Sequence, residues 1–183
     1  MKVLGIVGSP RKGGNTDVLI DETLRAARDA GSDVEKVFLN DLEIRPCQAE
    51  CNEYCKKKGY CKIDDGMSAL YNKLFDSDAI VLGTPLYWYG PSAQLKAFMD
   101  RWYAFSHPEH IHKMKGKKVV LIAPLEESET SAANPLVDMM AKSLDYLEAR
   151  FHAKLVVSAG EKGIVKQNSE AMKQAYKIGL ELR

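Results

Sequence analysis

The sequence predicts an α/β fold in which a parallel, five-stranded sheet carries helices on both faces. Short apolar runs alternate along the chain with segments whose apolar residues recur at helical spacing. Several of the runs, such as Ala79–Thr84, are apolar almost throughout, as strands covered on both faces must be. The 183 residues contain no internal repeat and no linker. We therefore expect a single domain over residues 1–183.

The first half of the chain predicts two strands and two helices. Lys2–Val7 (KVLGIV) predicts the first strand, and Asn15–Ala30 predicts a helix that Gly31 ends. Val34–Leu39 predicts the second strand. After a long connection, Asp65–Phe75 predicts a short helix.

The second half continues the same alternation. The predicted strands are Ala79–Thr84, Lys118–Pro124 and Lys154–Ser158. Three helices are predicted in this half. One starts at Pro91 or Ser92, the second runs from Pro135 to Arg150, and the third runs from Ser169 to Leu182. Lys96, Asp100 and Arg101 indicate a surface charge pattern and a tie between helix and loop.

Charge and hydropathy argue against several function classes. Lys and Arg total 26 against 25 Asp and Glu. The net charge of +1 therefore creates no global electrostatic field that would attract nucleic acid or an anionic membrane. The apolar runs are too short for a membrane span, and a strand pattern stands where a signal peptide would. The four cysteines are clustered, which in a reducing compartment favours a metal over disulfides. We expect a cytoplasmic protein without nucleic-acid or membrane partners.

A loop rich in Gly, Ser, Asn and Thr leads from the first strand into the first helix (Gly8–Thr16, GSPRKGGNT). Unpaired backbone N–H groups and the helix dipole favour an anion at such a position. Ser9, Asn15 and Thr16 add polar side chains, and Arg11 adds a cation. The spacing matches neither a Walker loop nor Gly-x-Gly-x-x-Gly. The sequence therefore predicts a terminal phosphate here, against the alternative of an ordinary turn-rich loop.

Three consecutive aromatic residues, Tyr87, Trp88 and Tyr89, follow the third strand between Pro85 and Gly90. In a parallel sheet, ligands bind beyond the carboxyl ends of the strands, where the winding reverses. Aromatic side chains at that place can flank a planar ring, although they also commonly cover a core edge or a dimer surface. Together with the neighbouring anion site, they favour a phosphorylated aromatic cofactor.

Three ordered motifs span about the first two-thirds of the chain. They are Gly8-Ser9-Pro10-Arg11 with Gly13, Asn15 and Thr16; Thr84-Pro85-Leu86-Tyr87-Trp88; and Gln94-Leu95-Lys96-Ala97-Phe98 with Asp100-Arg101. In this combination the chain resembles the NADPH-dependent FMN reductase family. Cys47 to Cys61, followed by Ile63-Asp64-Asp65-Gly66-Met67, brings it closest to the iron–sulfur flavoprotein branch.

The resemblance implies a flavodoxin-like three-layer sandwich with strand order 2-1-3-4-5, an FMN cofactor, and a homodimer or dimer of dimers. By position, the FMN phosphate would be held by Ser9, Arg11, Asn15 and Thr16. The isoalloxazine ring would lie along Pro85, Leu86, Tyr87, Trp88 and Tyr89. The implied partners are NAD(P)H and a small-molecule or protein electron acceptor. Hydride transfer itself requires no acid or base, so we nominate no catalytic residue.

One loop departs from the family pattern. After the fourth strand the family typically has a Gly-rich loop that touches the flavin, whereas this chain reads Pro124-Leu125-Glu126-Glu127-Ser128-Glu129-Thr130. Carboxylates near the pyrimidine edge of the ring would disfavour an anionic reduced flavin. Three alternatives follow: the loop points away, the flavin binds weakly, or the ligand differs.

The cysteines form a cysteine-rich insertion at about residues 45–64. Their spacing is Cys-x3-Cys-x3-Cys-x5-Cys, at Cys47, Cys51, Cys55 and Cys61, while the branch has Cys-x2-Cys-x2-Cys. Steps of four could place the first three on one helical stripe, with Cys61 as a fourth ligand of a 4Fe-4S cluster. Zinc, which prefers closer pairs, and a site that holds reduced thiols alone are the alternatives.

Three functions from different classes therefore remain open. The first is an FMN-dependent oxidoreductase that uses NAD(P)H. The second is an iron–sulfur flavoprotein that carries electrons between protein partners. The third is a non-enzymatic metal or interaction module with a vacant flavin site.

Overall fold

The computed structural model describes residues 1–49 and 52–183. The strands are β1 Lys2–Val7, β2 Asp33–Phe38, β3 Ala79–Gly83, β4 Lys118–Leu125 and β5 Arg150–Ser158. The α-helices are α1 Asn15–Asp29, α2 Asn52–Lys58, α3 Met67–Asp76, α4 Ala93–Asp100, α5 Asn134–Tyr146 and α6 Ser169–Glu181. The strands form one parallel sheet in the order β2-β1-β3-β4-β5, which confirms the predicted fold class and strand order.

Alternate side chains of β1 enter two separate cores, one on each face of the sheet. Val3 and Val7 pack in the layer that contains α1 and α6, whereas Leu4 and Ile6 pack in the layer that contains α3, α4 and α5. Burial of such side chains stabilises the fold by about 25 cal/mol per Å² of apolar surface. Because all five strands are parallel, their carboxyl ends meet at one edge of the sheet, where the functional loops converge.

The boundary between α5 and β5 differs from the predicted one. We expected the helix to reach Arg150, but it ends at Tyr146, and the strand begins at Arg150 rather than at Lys154. Glu148 adopts a left-handed φ of 54°, which turns the chain out of the helix. The N–H of Arg150 then joins the sheet by donating to the Lys117 carbonyl over 2.9 Å.

The cysteine insertion is helical only in part among its described residues. Cys47 lies in an irregular segment before α2, whereas Cys55 lies within α2. The expectation that the first three cysteines share one helical stripe is therefore wrong for Cys47. Cys51, the remaining member of that stripe, lies outside the described residues.

None of the described helices combines the length and the apolar character that a membrane crossing needs.

Candidate functional site

A cavity opens at the carboxyl edge of the sheet, between the loops that follow β1, β3, β4 and β5; we call it the strand-tip cavity. Its lining consists of Ser9, Arg11, Gly14, Asn15, Thr16, Pro85, Leu86, Tyr87, Pro124, Leu125, Glu126, Glu127, Ala159, Gly160 and Lys162. All four residues predicted to hold a phosphate are in this lining, together with three of the five predicted to lie along a ring. The structure therefore brings the two predicted loops into one cavity.

The β1–α1 loop (Gly8–Gly14) keeps its shape through local hydrogen bonds. The backbone N–H of Arg11 donates to Ser9 Oγ over 3.2 Å, and the N–H of Gly14 donates to the Arg11 carbonyl over 3.0 Å. Gly13 has a left-handed φ of 71°, and its N–H donates to Asp17 Oδ2 over 2.7 Å. The loop delivers the chain to the start of α1 at Asn15, where helix geometry leaves N–H groups unpaired.

Thr16 is a largely buried residue that lines the strand-tip cavity. The residue is 2% exposed. Its Cγ2 atom lies 2.7 Å from the position that a Cβ on Gly83 would occupy, so the methyl group faces the sheet. The hydroxyl has no hydrogen-bond partner within the described parts of the chain. A hydroxyl at the cavity without a protein partner can donate to a polar ligand or accept from it.

Asn15 uses its side chain to join two loops. Its Nδ2 donates to the carbonyls of Ala159 and Glu161, each over 2.8 Å, and its Oδ1 accepts from the N–H of Val165 over 3.2 Å. Both amide donors are therefore occupied by the loop that follows β5. What Asn15 offers to a phosphate in this arrangement is its backbone N–H, not its side chain.

A carboxylate beside the predicted anion site is compensated by a lysine from the neighbouring strand. Asp17 is 6% exposed, and its Oδ1 accepts from Lys36 Nζ over 2.8 Å. Burial acts to lower the pKa of Lys36, but hydrogen bonds to Asp17 and Asp21 outweigh it and raise that pKa above its usual value. Lys36 therefore stays charged and offsets the negative charge of Asp17.

The aromatic residues stand on a tight turn, Tyr87–Gly90, which we call the aromatic turn. The N–H of each end residue donates to the carbonyl of the other over 3.0 Å. Trp88 and Tyr89 both have positive φ, at 50° and 62°, a combination that in two-residue turns favours Asn and Gly. Trp88 is 97% exposed, and neither it nor Tyr89 lines the cavity. The turn thus holds two large rings outward at a conformational cost of about 1–3 kcal/mol each.

The acidic loop after β4 faces the same cavity. Glu126 and Glu127 belong to the lining, and the Cγ of Glu126 lies 3.3 Å from the position of a Cβ on Gly160. Of the three alternatives for this loop, the one in which it turns away from the cavity is therefore wrong for these two residues.

A buried ion pair anchors the cysteine insertion to the rest of the fold. The side chains of Arg101 and Asp65 are 0% and 2% exposed, and Arg101 Nη1 lies 2.7 Å from Asp65 Oδ2. The same guanidinium donates to the carbonyls of Arg45 and Ile63, over 2.7 Å and 3.2 Å. The tie expected between helix and loop thus exists, but Arg101 is buried and is not part of a surface pattern.

The environment of Asp65 keeps its carboxylate ionised. Burial acts to raise the pKa of Asp65, but the hydrogen bond from Arg101 and the backbone N–H groups of Arg45 and Met67 outweigh it. The pKa of Asp65 consequently lies below its usual value.

The predicted metal ligands have different surroundings. Cys55 is 3% exposed, whereas Cys47 and Cys61 are half-buried. Within residues 1–49 and 52–183, no three His, Cys, Asp or Glu side chains form a group that could hold a metal ion. Because Cys51 lies outside the described residues, the four-cysteine site stays a prediction, and we derive no chemistry through a cluster.

Sequence reasoning missed Lys162, which lines the cavity from the loop after β5. A lysine in an exposed loop carries no local pattern that distinguishes it from other surface lysines. Two glycines nearby, Gly160 and Gly163, were the one signal that this loop approaches other backbone closely.

Comparison with known proteins gives matches that cover between about half and all of the chain. Residues 1–178 match the family described as NADPH-dependent FMN reductase. An iron–sulfur flavoprotein of Methanocaldococcus jannaschii is 46% identical over 101 residues, which cover 55% of this chain and 51% of that protein. The match thus spans about half the length of that relative. An iron–sulfur flavoprotein of Archaeoglobus fulgidus is 31% identical over 98% of this chain and 77% of its own length.

Two further matches extend over nearly all of both chains. YwqN of Bacillus subtilis, named as an NAD(P)H-dependent FMN-containing oxidoreductase, is 24% identical over 97% of this chain and 96% of its own. The solved structure of an NAD(P)H:quinone oxidoreductase from Methanothermobacter marburgensis superposes with a TM-score of 0.78 at 16% identity, covering 100% of this chain and 99% of that one. The similarity to this solved structure supports the fold described above.

Proposed function

The chain belongs to the NADPH-dependent FMN reductase family, and from this premise we propose that it is an FMN-dependent oxidoreductase that uses NAD(P)H. FMN held in the strand-tip cavity would supply the chemistry for hydride transfer from a nicotinamide and for one- or two-electron transfer to an acceptor. The protein binds the cofactor, orients it and excludes water from it. No acid or base is required for hydride transfer, so no residue is assigned a catalytic role.

The FMN phosphate binds at the β1–α1 loop in this proposal. Ser9, Arg11 and Thr16 contribute side chains, and Asn15 contributes its backbone N–H. The single observation that carries the proposal is the Thr16 hydroxyl, which lines the strand-tip cavity without a partner among the described residues. A phosphate oxygen is an acceptor that would satisfy it.

The flavin ring lies along the segment from Pro85 to Tyr89 in the same proposal. Pro85, Leu86 and Tyr87 line the cavity, and Trp88 and Tyr89 extend beyond it on the aromatic turn. Glu126 and Glu127 face the cavity from the loop after β4. Carboxylates at these positions would disfavour negative charge on a group bound beside them.

Thermal unfolding with FMN and with riboflavin tests this proposal. A ligand that binds the folded state raises Tm, and riboflavin lacks the phosphate. We expect FMN to raise Tm more than riboflavin does. Thr16→Val should abolish most of the difference, whereas Thr23→Val, which is in the same helix but bonds to the Leu19 carbonyl, should keep it. If FMN gave no stabilisation, the alternative of a non-enzymatic module with a vacant flavin site would replace this proposal.

A second candidate function is electron transfer between protein partners through a cluster in the cysteine insertion. It is favoured by the names of the relatives from M. jannaschii and A. fulgidus and by the buried attachment of the insertion. Iron and acid-labile sulfide measured on protein purified without oxygen distinguish the candidates. About four of each per chain, lost in Cys55→Ser, would support the carrier. A flavin spectrum without iron that NAD(P)H bleaches would support the reductase.

We further propose a homodimer or a dimer of dimers. A groove between α4 and α5 is lined in part by Met99, Trp102, Tyr103, Met139 and Tyr146, and two of these, Tyr103 and Tyr146, are exposed. A second copy would cover this apolar surface. Sedimentation velocity should give at least twice the chain mass, and Tyr146→Glu should lower it; a monomer at micromolar concentration would contradict the proposal. A cytoplasmic location stays a prediction that cell fractionation tests.

A further inference from the structure

The loop between β5 and α6 (residues 159–168), here called the β5–α6 loop, is attached to the β1–α1 loop. Asn15 binds it at three points through the carbonyls of Ala159 and Glu161 and the N–H of Val165. Because both amide donors of Asn15 bind the β5–α6 loop, they fix the position of that loop. The β5–α6 loop is therefore a wall of the strand-tip cavity.

Direct backbone contact reinforces this attachment. Gly13 and Gly163 both have left-handed φ angles, of 71° and 74°. A Cβ on Gly163 would lie 3.1 Å from the carbonyl oxygen of Gly13. Glycine permits both the backbone conformation and the close approach. The two loops thus form one unit around the anion site.

Lys162 belongs to the β5–α6 loop and lies next to the predicted anion site. It shares the cavity lining with Ser9 and Arg11, and its Cε lies 3.9 Å from the position of a Cβ on Gly13. In the described part of the chain, no carboxylate lies within ion-pair distance of Lys162 or Arg11. Glu126 and Glu127 also line this cavity but form no ion pair with either cation, so Arg11 and Lys162 together can match the charge of about −2 on a phosphate monoester.

We propose that Lys162 is a second cation for a phosphate monoester bound in the strand-tip cavity and that Asn15 positions it there. The inference rests on the proposed function and adds a residue to that site. The phosphate belongs either to FMN or to a phosphorylated nicotinamide dinucleotide. Both ligands share the chemistry that Lys162 would recognise.

Titration of the full-length chain with FMN and with riboflavin, followed by flavin fluorescence, tests the inference. Lys162→Met should weaken FMN binding about tenfold and leave riboflavin binding unchanged, because one charge-assisted contact is lost. Lys166→Met is the matched control, since Lys166 is an exposed lysine of the same loop that does not line the cavity. The thermal unfolding of both variants without ligand should equal that of the parent chain.

Asn15→Ala tests the positioning role. The ratio of FMN to riboflavin affinity should fall, as it does in Lys162→Met. In the Asn15→Ala background, Lys162→Met should cost less than in the parent chain, because Lys162 is no longer held at the cavity. A merely structural role for Asn15 would lower both affinities equally and leave the effects of the two substitutions additive, which would overturn the positioning part.

Binding of NADPH and of NADH to Lys162→Met distinguishes the two sources of phosphate. If Lys162→Met leaves FMN binding unchanged but weakens NADPH relative to NADH on the FMN-saturated protein, the phosphate is that of the dinucleotide. If neither the FMN to riboflavin ratio nor the NADPH to NADH ratio changes, the inference is overturned. A parent chain that does not distinguish FMN from riboflavin would instead contradict the proposed phosphate site itself.

Discussion

The strand-tip cavity and the cysteine insertion are held in place in different ways. The cavity is built by loops that follow adjacent strands, so the register of the sheet sets the positions of its walls. The insertion is secured by one buried guanidinium that pairs with Asp65 and donates to two carbonyls. Damage to the cavity should therefore affect the ligand first, whereas loss of the buried guanidinium should affect the insertion and the stability of the fold first.

The largest effect expected from this difference is that of Arg101→Met. It removes the nearer cation of the buried Asp65 carboxylate and leaves Arg45 Nε, 3.9 Å from Oδ2, as the remaining one; breaking a buried pair costs about 3–5 kcal/mol. Urea denaturation should show this loss in the free energy of unfolding, and trypsin should cleave the insertion faster. FMN affinity of the folded protein should be unchanged, because Arg101 does not line the cavity.

The double variant Arg101→Met/Asp65→Leu is the control for Arg101→Met, since it removes both charges and should recover part of the stability. An Arg101→Met protein with the stability of the parent would contradict the anchoring role of the pair.

Gly83→Ala should lower FMN affinity and leave the cysteine insertion intact, the reverse of the effect expected for Arg101→Met. A Cβ there would lie 2.4 Å from Ile20 Cδ1 and 2.7 Å from Thr16 Cγ2, so the start of α1 must move. Such overpacking costs about 1–3 kcal/mol. We expect FMN affinity to fall at least tenfold while tryptic cleavage of the insertion stays as in the parent chain. Gly90→Ala, whose Cβ meets only Tyr87 O at 3.7 Å, should leave the unfolding midpoint unchanged.

Tyr89→Gly should stabilise the protein without ligand by about 1 kcal/mol, because glycine adopts the left-handed conformation of this position without strain. FMN affinity should fall at the same time, since a ring predicted to lie along the flavin is lost. Tyr89→Phe keeps both the ring and the strain and should change neither quantity. A Tyr89→Gly protein that bound FMN as tightly as the parent would remove Tyr89 from the proposed site.

The smallest effect concerns pH. The pKa of Asp65 in the folded protein lies below its unfolded value of about 3.9, so the stabilisation from its ionised form is complete above about pH 4 and is lost as the pH falls through the folded pKa. Urea denaturation between pH 7 and pH 3 should show a shallower loss of stability in Arg101→Met/Asp65→Asn than in the parent. Equal losses would mean that Asp65 does not contribute to the acid sensitivity.

Local patterns in the sequence predicted the fold and most of the cavity. The strands and helices follow from apolar spacing, and Ser9, Arg11 and Thr16 lie within one short loop whose chemistry is visible without the structure. The end of α5 was misplaced because the left-handed turn at Glu148 has no glycine to indicate it.

Residues whose roles depend on distant partners were not predictable in the same way. Lys96, Asp100 and Arg101 have the spacing of a solvated helix face, yet Arg101 is buried because Asp65, 36 residues earlier, lies against it. Lys162 reaches the cavity because α6 packs in the same layer as α1 and Asn15 holds the loop after β5 beside the loop after β1. The side chain of Asn15 was assigned to a ligand, and its partners prove to be backbone groups about 150 residues away.

The long reach of Asn15 has a consequence for biosynthesis. Its three partners lie between residues 159 and 165, about 150 residues later in the chain. A nascent polypeptide therefore carries the complete glycine-rich segment long before the ribosome has produced the groups that immobilise it. Competence to capture a nucleotide should therefore arise only after the β5–α6 loop has been synthesised.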